Sequence, residues 1–251
     1  MGTALVTGAT AGLGAEFASQ LAARGHDLVL VARSRDRLES TAADLRARHS
    51  VAVEVLPADL SVRADVQRVE TRLRDSDHPI GWLVNNAGYG LNTPFESGDI
   101  EDEQAHLDVL VTAPMRLAHA ALPSMLDRRE GVIVNVASVA GYTPRSTYGA
   151  AKAWVLSFSR WANITYRRRG VTVTAVAPGF VHTEFHSRMK VTKDGIPSVL
   201  WLNPPYVVAK TLRAADRGRA ITIPSIRYKL IVAAARMLPA RLAAAGALKG
   251  R

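Results

Sequence analysis

Short, continuous runs of apolar residues alternate along this chain with longer amphipathic stretches. Runs of this kind are typical of strands that are buried on both faces. Alternation of strand and helix predicts β-α-β units and therefore a parallel sheet covered by helices on both sides. The predicted strands are Ala4–Thr7, Asp27–Ala32, Val51–Leu56, Trp82–Asn85, Gly131–Val136, Val171–Ala177 and Ala220–Ile223, and the first two predicted helices are Gly14–Arg24 and Arg35–Arg48.

Length and composition are consistent with one such α/β domain. The chain has 251 residues, and no Pro/Gly-rich linker or internal repeat divides it. The absence of cysteine excludes disulfides, thiolate metal sites and cysteine nucleophiles. The sequence opens directly into an apolar strand without the basic region of a signal peptide, and no uncharged apolar run is long enough to span a bilayer. We therefore expect a cytoplasmic protein.

The charge of the chain is distributed unevenly. Residues 1–150 carry 14 Lys and Arg against 19 Asp and Glu, a net −5, whereas residues 151–251 carry 18 against 3, a net +15. A basic half attracts anions such as phosphate-bearing cofactors, acyl-CoA or acidic lipid, or it is simply a solvated surface. Nucleic acid is not expected as a partner, because the basic residues are scattered through core-forming segments and no nucleic-acid-binding motif occurs.

A glycine-rich turn joins the first predicted strand to the first predicted helix. It reads Thr-Gly-Ala-Thr-Ala-Gly-Leu-Gly over residues 7–14. Gly8 suits a tight turn, Gly12 lets the backbone approach a pyrophosphate, and Gly14 allows helix and strand to pack closely. The helix N-terminus then offers free N–H groups and a partial positive charge to the phosphates. The turn predicts a dinucleotide site.

Further motifs follow this turn in a recognisable order. They are Asp59 in the sequence ADLS, Asn85-Asn86-Ala87-Gly88, Ser138, Tyr148-x-x-x-Lys152 and Pro178-Gly179. Together with the T-G-x-x-x-G-x-G spacing, the set resembles the classical short-chain dehydrogenase/reductase family over about residues 3–225. The resemblance implies a single-domain, Rossmann-type, doubly wound parallel sheet, a nicotinamide cofactor, a small-molecule carbonyl or alcohol substrate, and a homodimer or homotetramer.

The end of the second strand favours NADP(H) over NAD(H). The resemblance places Ala32 where NAD-dependent members carry an aspartate for the ribose 2′-hydroxyl, and Arg33 can meet a 2′-phosphate. The alternative is that Arg33 and Arg35 are solvated charges at a helix start, and Arg35 and Arg37 are weaker candidates than Arg33. The cofactor-binding residues that the motifs and the resemblance imply are Gly8, Thr10, Gly12, Leu13, Gly14, Arg33, Asp59, Leu60, Asn86, Ala87, Gly88, Tyr148, Lys152, Pro178, Gly179, Val181 and Thr183.

Tyr148, Lys152 and Ser138 are the predicted catalytic residues. Tyr148 and Lys152 are four residues apart, so on a helix they project from one face. A nearby ammonium lowers the pKa of a phenol and fits it for general acid–base catalysis, while the Ser138 hydroxyl can polarise a carbonyl. His182 and His186 have no further ligands at ordered spacing, so we expect no metal site.

Two features depart from the family pattern. Leu110 stands where the family usually carries an asparagine that supports a water-mediated proton path to the lysine, and Leu has neither donor nor acceptor. The ten-residue separation between Ser138 and Tyr148 is also shorter than usual, which alters a wall of the pocket. A cofactor-binding protein with weak or no catalysis therefore remains an alternative to an NADP(H)-dependent carbonyl reductase or alcohol dehydrogenase.

The last part of the chain contains two segments that bear on the substrate. Residues 182–202, an irregular stretch of mixed apolar and basic residues, predict a lid within a dinucleotide-binding and catalytic domain over residues 1–225. Residues 226–251 predict a basic helical segment that packs on the domain or a subunit interface, lies on an anionic membrane, or helps to enclose a lipophilic, anionic substrate. A fatty acyl or ketoacyl thioester is one such substrate.

Overall fold

A computed structural model, which describes residues 2–184, 197–239 and 241, contains one seven-stranded sheet. Every strand pair is parallel, and the spatial order is β3-β2-β1-β4-β5-β6-β7. The strands are β1 (Thr3–Thr7), β2 (Asp27–Ala32), β3 (Val53–Pro57), β4 (Ile80–Asn85), β5 (Gly131–Val136), β6 (Val171–Val176) and β7 (Ile221–Thr222). The predicted doubly wound parallel sheet in a single α/β domain is thereby confirmed.

Helices cover both faces of the sheet. They are α1 (Gly12–Ala22), α2 (Arg35–His49), α3 (Arg63–Arg74), α4 (Ile100–Leu107), α5 (Ala113–Arg128), α6 (Thr147–Tyr166), α7 (Pro204–Asp216) and α8 (Ile226–Met237). One apolar core joins the sheet to α3, α5 and α6, and a second joins it to α1, α2 and α7. Strands buried on both sides account for the uninterrupted apolar runs in the sequence.

Small differences from the predicted boundaries have local causes. Helix α1 begins at Gly12, two residues early, because the glycine turn leads directly into it. It ends at Ala22, where the Gly25 N–H donates to the Ala22 carbonyl and turns the chain. Strand β3 begins at Val53 rather than Val51, and the N–H of Ala52 donates to the Asp27 carboxylate at 2.8 Å.

The predicted lid and C-terminal segment lie partly outside the described residues. Of residues 182–202, the stretch 185–196 is outside them, and a parallel bridge joins Val181 to Leu202 across that stretch. Residues 226–237 form helix α8, as predicted, whereas residues 240 and 242–251 lie outside the described residues. The role of a lid stays a prediction.

Helices α4 and α5 are joined by a π-helical turn at Asp108–Thr112 into one continuous helical stretch. This stretch, Ile100–Arg128, is long and apolar enough by length and composition to cross a membrane. Of its most apolar window, 44% is buried, and α5 packs against β4 and β5. A helix that packs in the core of a folded domain can have the same length and composition, so the match is weak evidence for a membrane span.

The order of the sheet reverses between β1 and β4. In open parallel sheets, ligands bind outside the carboxyl ends of the strands at such a reversal. The glycine turn leaves the end of β1 at this point, and Asn86 and Ala87 leave the end of β4 beside it. The fold therefore places the predicted dinucleotide site where the topology favours one.

We predict that Gly14→Ala destabilises the protein. A Cβ atom at Gly14 would lie 2.1 Å from the Gly8 carbonyl oxygen, so backbone has to move. Overpacking of this kind costs about 1–3 kcal/mol. Urea denaturation should show a loss of that size, whereas the control Gly81→Ala, whose Cβ would meet the Thr3 oxygen at an ordinary 3.8 Å, should stay near the wild type. Equal stability of the two variants would contradict the close packing at Gly14.

Candidate active site

A cleft of about 1750 Å³ opens at the carboxyl ends of the strands. The predicted residues that line it are Gly8, Thr10, Gly12, Leu13, Arg33, Asp59, Leu60, Asn86, Ala87, Gly88, Ser138, Tyr148, Lys152, Pro178, Gly179, Val181 and Thr183. Gly14 is the one predicted residue that does not line the cleft. It lies behind the turn, against the Gly8 carbonyl, which is the packing role that its position in the motif implies.

Thr7 and Asn86 join the ends of β1 and β4. The Thr7 hydroxyl accepts hydrogen bonds from the N–H groups of Asn86 (2.9 Å) and Ala87 (3.0 Å) and donates to the Val84 carbonyl (3.3 Å). The Asn86 amide donates to the carbonyls of Thr7 (2.9 Å) and Gly8 (3.3 Å). Asn86 thus supports the glycine turn as well as lining the cleft. Thr7 is a site residue that the motifs did not identify, although it opens the glycine motif.

Two arginines line the cleft near the end of β2. Arg33 is exposed directly after β2 and lines the cleft, as predicted. Arg37 lines it too, and its guanidinium donates to the Thr10 carbonyl at 3.2 Å. Arg35 lies 3.9 Å from Glu39 on the surface of α2. A guanidinium suits a phosphate because its fork of N–H groups matches the oxygen geometry. Arg37 also lies 3.6 Å from the Glu184 carboxylate, which offsets part of the positive charge at this end of the cleft.

Helix α6 carries Tyr148 and Lys152 into the cleft. Ser146 caps the helix by accepting from the Gly149 N–H, so Tyr148 lies in its first turn. Lys152 is buried, and its ammonium donates to the Val136 carbonyl at 2.7 Å and lies 5.6 Å from the centre of the Tyr148 ring. Burial lowers the pKa of Lys152 to about 8, since a low-dielectric site disfavours the charged form.

Ser138 follows β5 on the same side of the cleft. Its hydroxyl oxygen accepts from the Ala140 N–H at 3.1 Å and caps the short 3₁₀ turn Val139–Tyr142. A cap of this kind uses an oxygen lone pair, so the hydroxyl hydrogen can still be donated to a carbonyl. The structural role of a cap and the chemical role of a donor are therefore compatible at Ser138.

Leu110 is buried in the π-helical turn between α4 and α5. A Cβ atom built on Gly88 would lie 2.9 Å from the Leu110 Cδ2 and 3.9 Å from the Lys152 Nζ. The Leu110 methyl group and the Lys152 ammonium therefore both lie close to the backbone of Gly88. An apolar contact occupies the neighbourhood in which the resemblance implies an amide.

Helix α8 closes one side of the cleft through Tyr228. The Tyr228 hydroxyl accepts from the Phe180 N–H at 3.0 Å and donates to the Leu200 carbonyl at 2.8 Å. Its ring occupies the space above Gly179, where an added Cβ would lie 1.8 Å from Cζ. Burial raises the pKa of Tyr228, so the phenol stays neutral and can donate. Ile231, Val232 and Ala235 of the same helix also line the cleft.

These contacts bear on the alternatives for the C-terminal segment over residues 226–239. The helix packs on the domain and at the same time encloses part of the cleft. Ile226, Leu230 and Met237 of the same helix are 73%, 68% and 86% exposed, so it also keeps apolar residues on the protein surface. Tyr228 could not be identified from the sequence, because only the tertiary structure brings this aromatic residue against Gly179.

His182 does not gather metal ligands around it. Its ring stacks on Trp201 with centroids 5.0 Å apart, and His186 lies outside the described residues. Within residues 2–184, 197–239 and 241, no group of three or more His, Asp or Glu side chains is placed to hold a metal ion.

Comparisons with known proteins find a matching family model and similar solved structures. The family model described as short chain dehydrogenase matches residues 2–194. A short-chain dehydrogenase from Sphingobium yanoikuyae, solved in complex with NADPH, is 38% identical and superposes with a TM-score of 0.86 over 93% of both chains. The bulky-bulky ketone specific alcohol dehydrogenase from Comamonas testosteroni is 34% identical, with a TM-score of 0.81 over 94% of this chain and 92% of the other.

Curated relatives include longer proteins. The very-long-chain 3-oxoacyl-CoA reductase of Anas platyrhynchos is 34% identical over 199 residues, which make up 76% of this chain and 63% of the relative. The chain thus spans somewhat less than two thirds of the length of that enzyme.

The buried Lys152 generates a prediction about stability and pH. Its pKa is about 8 in the folded protein and near 10.4 in an unfolded chain, so between these values the unfolded state holds the extra proton. Stability from this group therefore rises with pH across that window and is at its lowest below about pH 8. The difference in free energy of unfolding, wild type minus Lys152→Met, should increase by roughly 2–4 kcal/mol from pH 7.5 to 10.5. A difference that is independent of pH in urea titrations would contradict the lowered pKa.

Proposed function

The chain belongs to the short-chain dehydrogenase family, and from that premise we propose that it is an NADP(H)-dependent carbonyl reductase or alcohol dehydrogenase acting on lipophilic substrates. One observation carries the proposal. Tyr148, Lys152 and Ser138 border the same cleft as the glycine turn. Hydride transfer needs a nicotinamide, a proton donor and a polarised carbonyl in one place, and this cleft offers a residue for each requirement.

The residues around the glycine turn fit a dinucleotide. The free N–H groups at the start of α1 and the turn at Gly8 and Gly12 would hold the pyrophosphate. The small Ala32 side chain and the exposed Arg33 leave room and charge for a 2′-phosphate. The nicotinamide supplies or accepts the hydride when the cofactor is bound.

Residues of the chain supply the proton for the reaction and polarise the carbonyl group of the substrate. In the direction of reduction, Tyr148 gives its hydroxyl proton to the carbonyl oxygen, so the alcohol O–H bond forms as the tyrosine O–H bond breaks. The Lys152 ammonium, 5.6 Å from the ring centre, stabilises the phenolate that results. Ser138 donates a hydrogen bond to the same carbonyl oxygen and holds it near Tyr148. In the direction of oxidation, the phenolate takes the proton back.

The lining of the cleft beyond Tyr148 favours a bulky apolar substrate. The lining includes Tyr142, Phe180, Leu200, Ile231 and Val232, a largely apolar set. Arg145 lies among the lining residues and is exposed, so a substrate with an anionic end has a cationic partner there. A ketoacyl or fatty acyl thioester combines both properties. The names of two relatives, a very-long-chain 3-oxoacyl-CoA reductase and a bulky ketone alcohol dehydrogenase, agree with this choice.

A second candidate function is binding of NADPH with weak or no catalysis. The observation in its favour is the apolar contact of Leu110 beside Gly88, close to Lys152. Turnover by the wild type on a series of ketones and ketoacyl esters of graded chain length, followed through NADPH absorbance, distinguishes the two functions. Tight binding of NADPH with no turnover on any member of the series would favour the second.

We also propose that the chain forms a homodimer or homotetramer through α5 and α6. On α6, Trp154 stacks on Phe158 with ring centroids 4.9 Å apart, and Trp161 and Ile164 expose 53% and 72% of their surface. On α5, Met115 is 41% exposed. Large apolar side chains exposed on the surfaces of helices are typical of a subunit interface.

Tyr148→Phe tests the assignment of the proton donor. The variant removes only a hydroxyl, so it should fold and bind NADPH as the wild type does, while kcat for ketone reduction falls by a factor of about 10²–10⁴. Steady-state kinetics, NADPH titration and thermal melting measure the three properties. Wild-type turnover in this variant would show that another group gives the proton.

Ala32→Asp tests the preference for NADP(H). A carboxylate at this position repels a 2′-phosphate and can accept from a ribose 2′-hydroxyl, so the variant should bind NADPH more weakly and NADH more tightly. In the wild type, the contact with Arg33 should favour NADPH by roughly 1–3 kcal/mol. Fluorescence titration with both cofactors provides the measurement, and equal affinities of the wild type for the two would refute the preference.

A further inference from the structure

His106 is a buried histidine beside the proposed proton donor that neither the sequence analysis nor the reaction scheme uses. It lies on α4, is 2% exposed and lines the cleft. Its ring is nearly parallel to that of Tyr148, with an interplanar angle of 21° and centroids 6.1 Å apart. It also contacts the Tyr89 ring, at 5.2 Å and 57°. The imidazole therefore packs between the loop that follows β4 and the first turn of α6.

The hydrogen bonds of His106 define its tautomer when the ring is neutral. Nε2 lies 3.1 Å from the Tyr89 carbonyl oxygen, which can only accept, so Nε2 carries the hydrogen. Nδ1 is then the unprotonated nitrogen, and it lies 3.8 Å from a carboxylate oxygen of Glu103. Protonation of Nδ1 would create an imidazolium with Glu103 as its partner.

Three elements place charged or titratable groups next to His106. Glu103 lies on its own helix, Tyr148 and Lys152 come from α6, and Tyr89 comes from the loop after β4. Burial has the largest influence on the pKa of His106 and lowers it below 6.5, and the positive charge of Lys152 lowers it further. The Tyr89 carbonyl and the Glu103 carboxylate act in the opposite direction and raise this pKa. His106 is therefore neutral at pH 7 and gains its proton only in acid.

Glu103 connects the same helix to the start of α6. Its other carboxylate oxygen accepts from the Thr147 hydroxyl at 3.2 Å, and Thr147 is the residue before Tyr148. Helix α4 thus holds the segment around Tyr148 in two ways, through the His106 ring and through the Glu103 carboxylate. His106 precedes Leu110 by four residues, so the two lie on one side of the helical stretch, one turn apart.

We propose that His106, anchored by its hydrogen bond to the Tyr89 carbonyl, is a positioning residue that holds the Tyr148 ring in the geometry for proton transfer, an inference that rests on the proposed reductase function. The neutral ring donates to the Tyr89 carbonyl and packs on Tyr148. Protonation draws Nδ1 toward Glu103 and places a positive charge near Lys152, so the ring position changes and kcat falls in acid. The wild-type kcat should then decrease with falling pH through a midpoint below pH 6.5.

Kinetics of two His106 variants test the inference. His106→Phe keeps an aromatic ring on Tyr148 but removes the donor and the titration, and misplacement of about 1 Å can cost roughly 100-fold in rate. We expect kcat to fall about ten- to hundredfold with the KM for NADPH nearly unchanged, and the acid inflection to vanish. His106→Gln restores an N–H donor and should recover part of kcat at pH 7, again without the inflection. His78→Phe, at a histidine that is 76% exposed before β4, is the matched control and should retain the wild-type profile.

A spectroscopic measurement tests the same inference without turnover. The six tyrosines are labelled with ¹³C at the ring ε carbons, and the Tyr148 signal is identified by its absence in Tyr148→Phe. In the cofactor-free wild type, this signal should shift with pH through a midpoint below 6.5, and in His106→Phe it should be constant over that range. If His106→Phe fails to fold, the Gln variant provides the same comparison.

The kinetic and spectroscopic measurements together distinguish failure of the His106 inference from failure of the proposed reductase function. A wild type without turnover whose Tyr148 signal still titrates with His106 would refute the reductase function and retain the coupling. A Tyr148 signal that is constant between pH 5 and 7 in the wild type, or a His106→Phe protein with wild-type kcat and pH profile, would overturn the role of His106.

Discussion

The hydrogen bonds between the Thr7 hydroxyl and the backbone of Asn86 and Ala87 extend the β1–β4 pairing past the ends of the two strands, where the strand order reverses. The glycine turn and the loop after β4 both begin at this junction, so their relative position follows from it. The Asn86 amide and the missing side chain at Gly14 keep the turn close to β4. A cofactor site at this edge of the sheet is therefore a consequence of how β1 and β4 end.

The opposite side of the cleft depends on polar groups buried in the core. Asn85 donates to Asn135 at 2.9 Å, and Asn135 donates to Ser159 of α6 at 2.9 Å, which links β4, β5 and α6. Lys152 adds a bond from α6 to the Val136 carbonyl. Buried polar bonds of this kind restrict how the elements can pack, because an unpaired buried group is costly. Among the described residues, the Asn85 Oδ1 itself has no hydrogen-bond partner. Helix α6 is thus fixed in position on the sheet, and the burial that fixes Lys152 also lowers its pKa.

The strand-helix alternation and the motifs predicted much of this arrangement. Buried strands leave an uninterrupted apolar pattern in the sequence. Gly8, Asn86, Tyr148 and Lys152 belong to motifs whose spacing along the chain determines where the residues lie relative to a strand end or a helix face. The roles of Tyr228 and His106 could not be predicted, because both depend on contacts between elements far apart in the chain. Tyr228 meets Gly179 only after α8 packs beside the loop that follows β6, and the His106 ring reaches Tyr148 only after α4 meets the first turn of α6.

The central claim is that the cleft brings a nicotinamide cofactor and a lipophilic carbonyl together around Tyr148. Transfer of deuterium from NADPH labelled at C4, on either face, to the carbinol carbon of a bulky ketone tests it most directly. Mass spectrometry of the product should find one deuterium per alcohol from one of the two labelled cofactors. A protein that binds NADPH but yields no deuterated alcohol from any ketone or ketoacyl ester, with either label, would contradict the account.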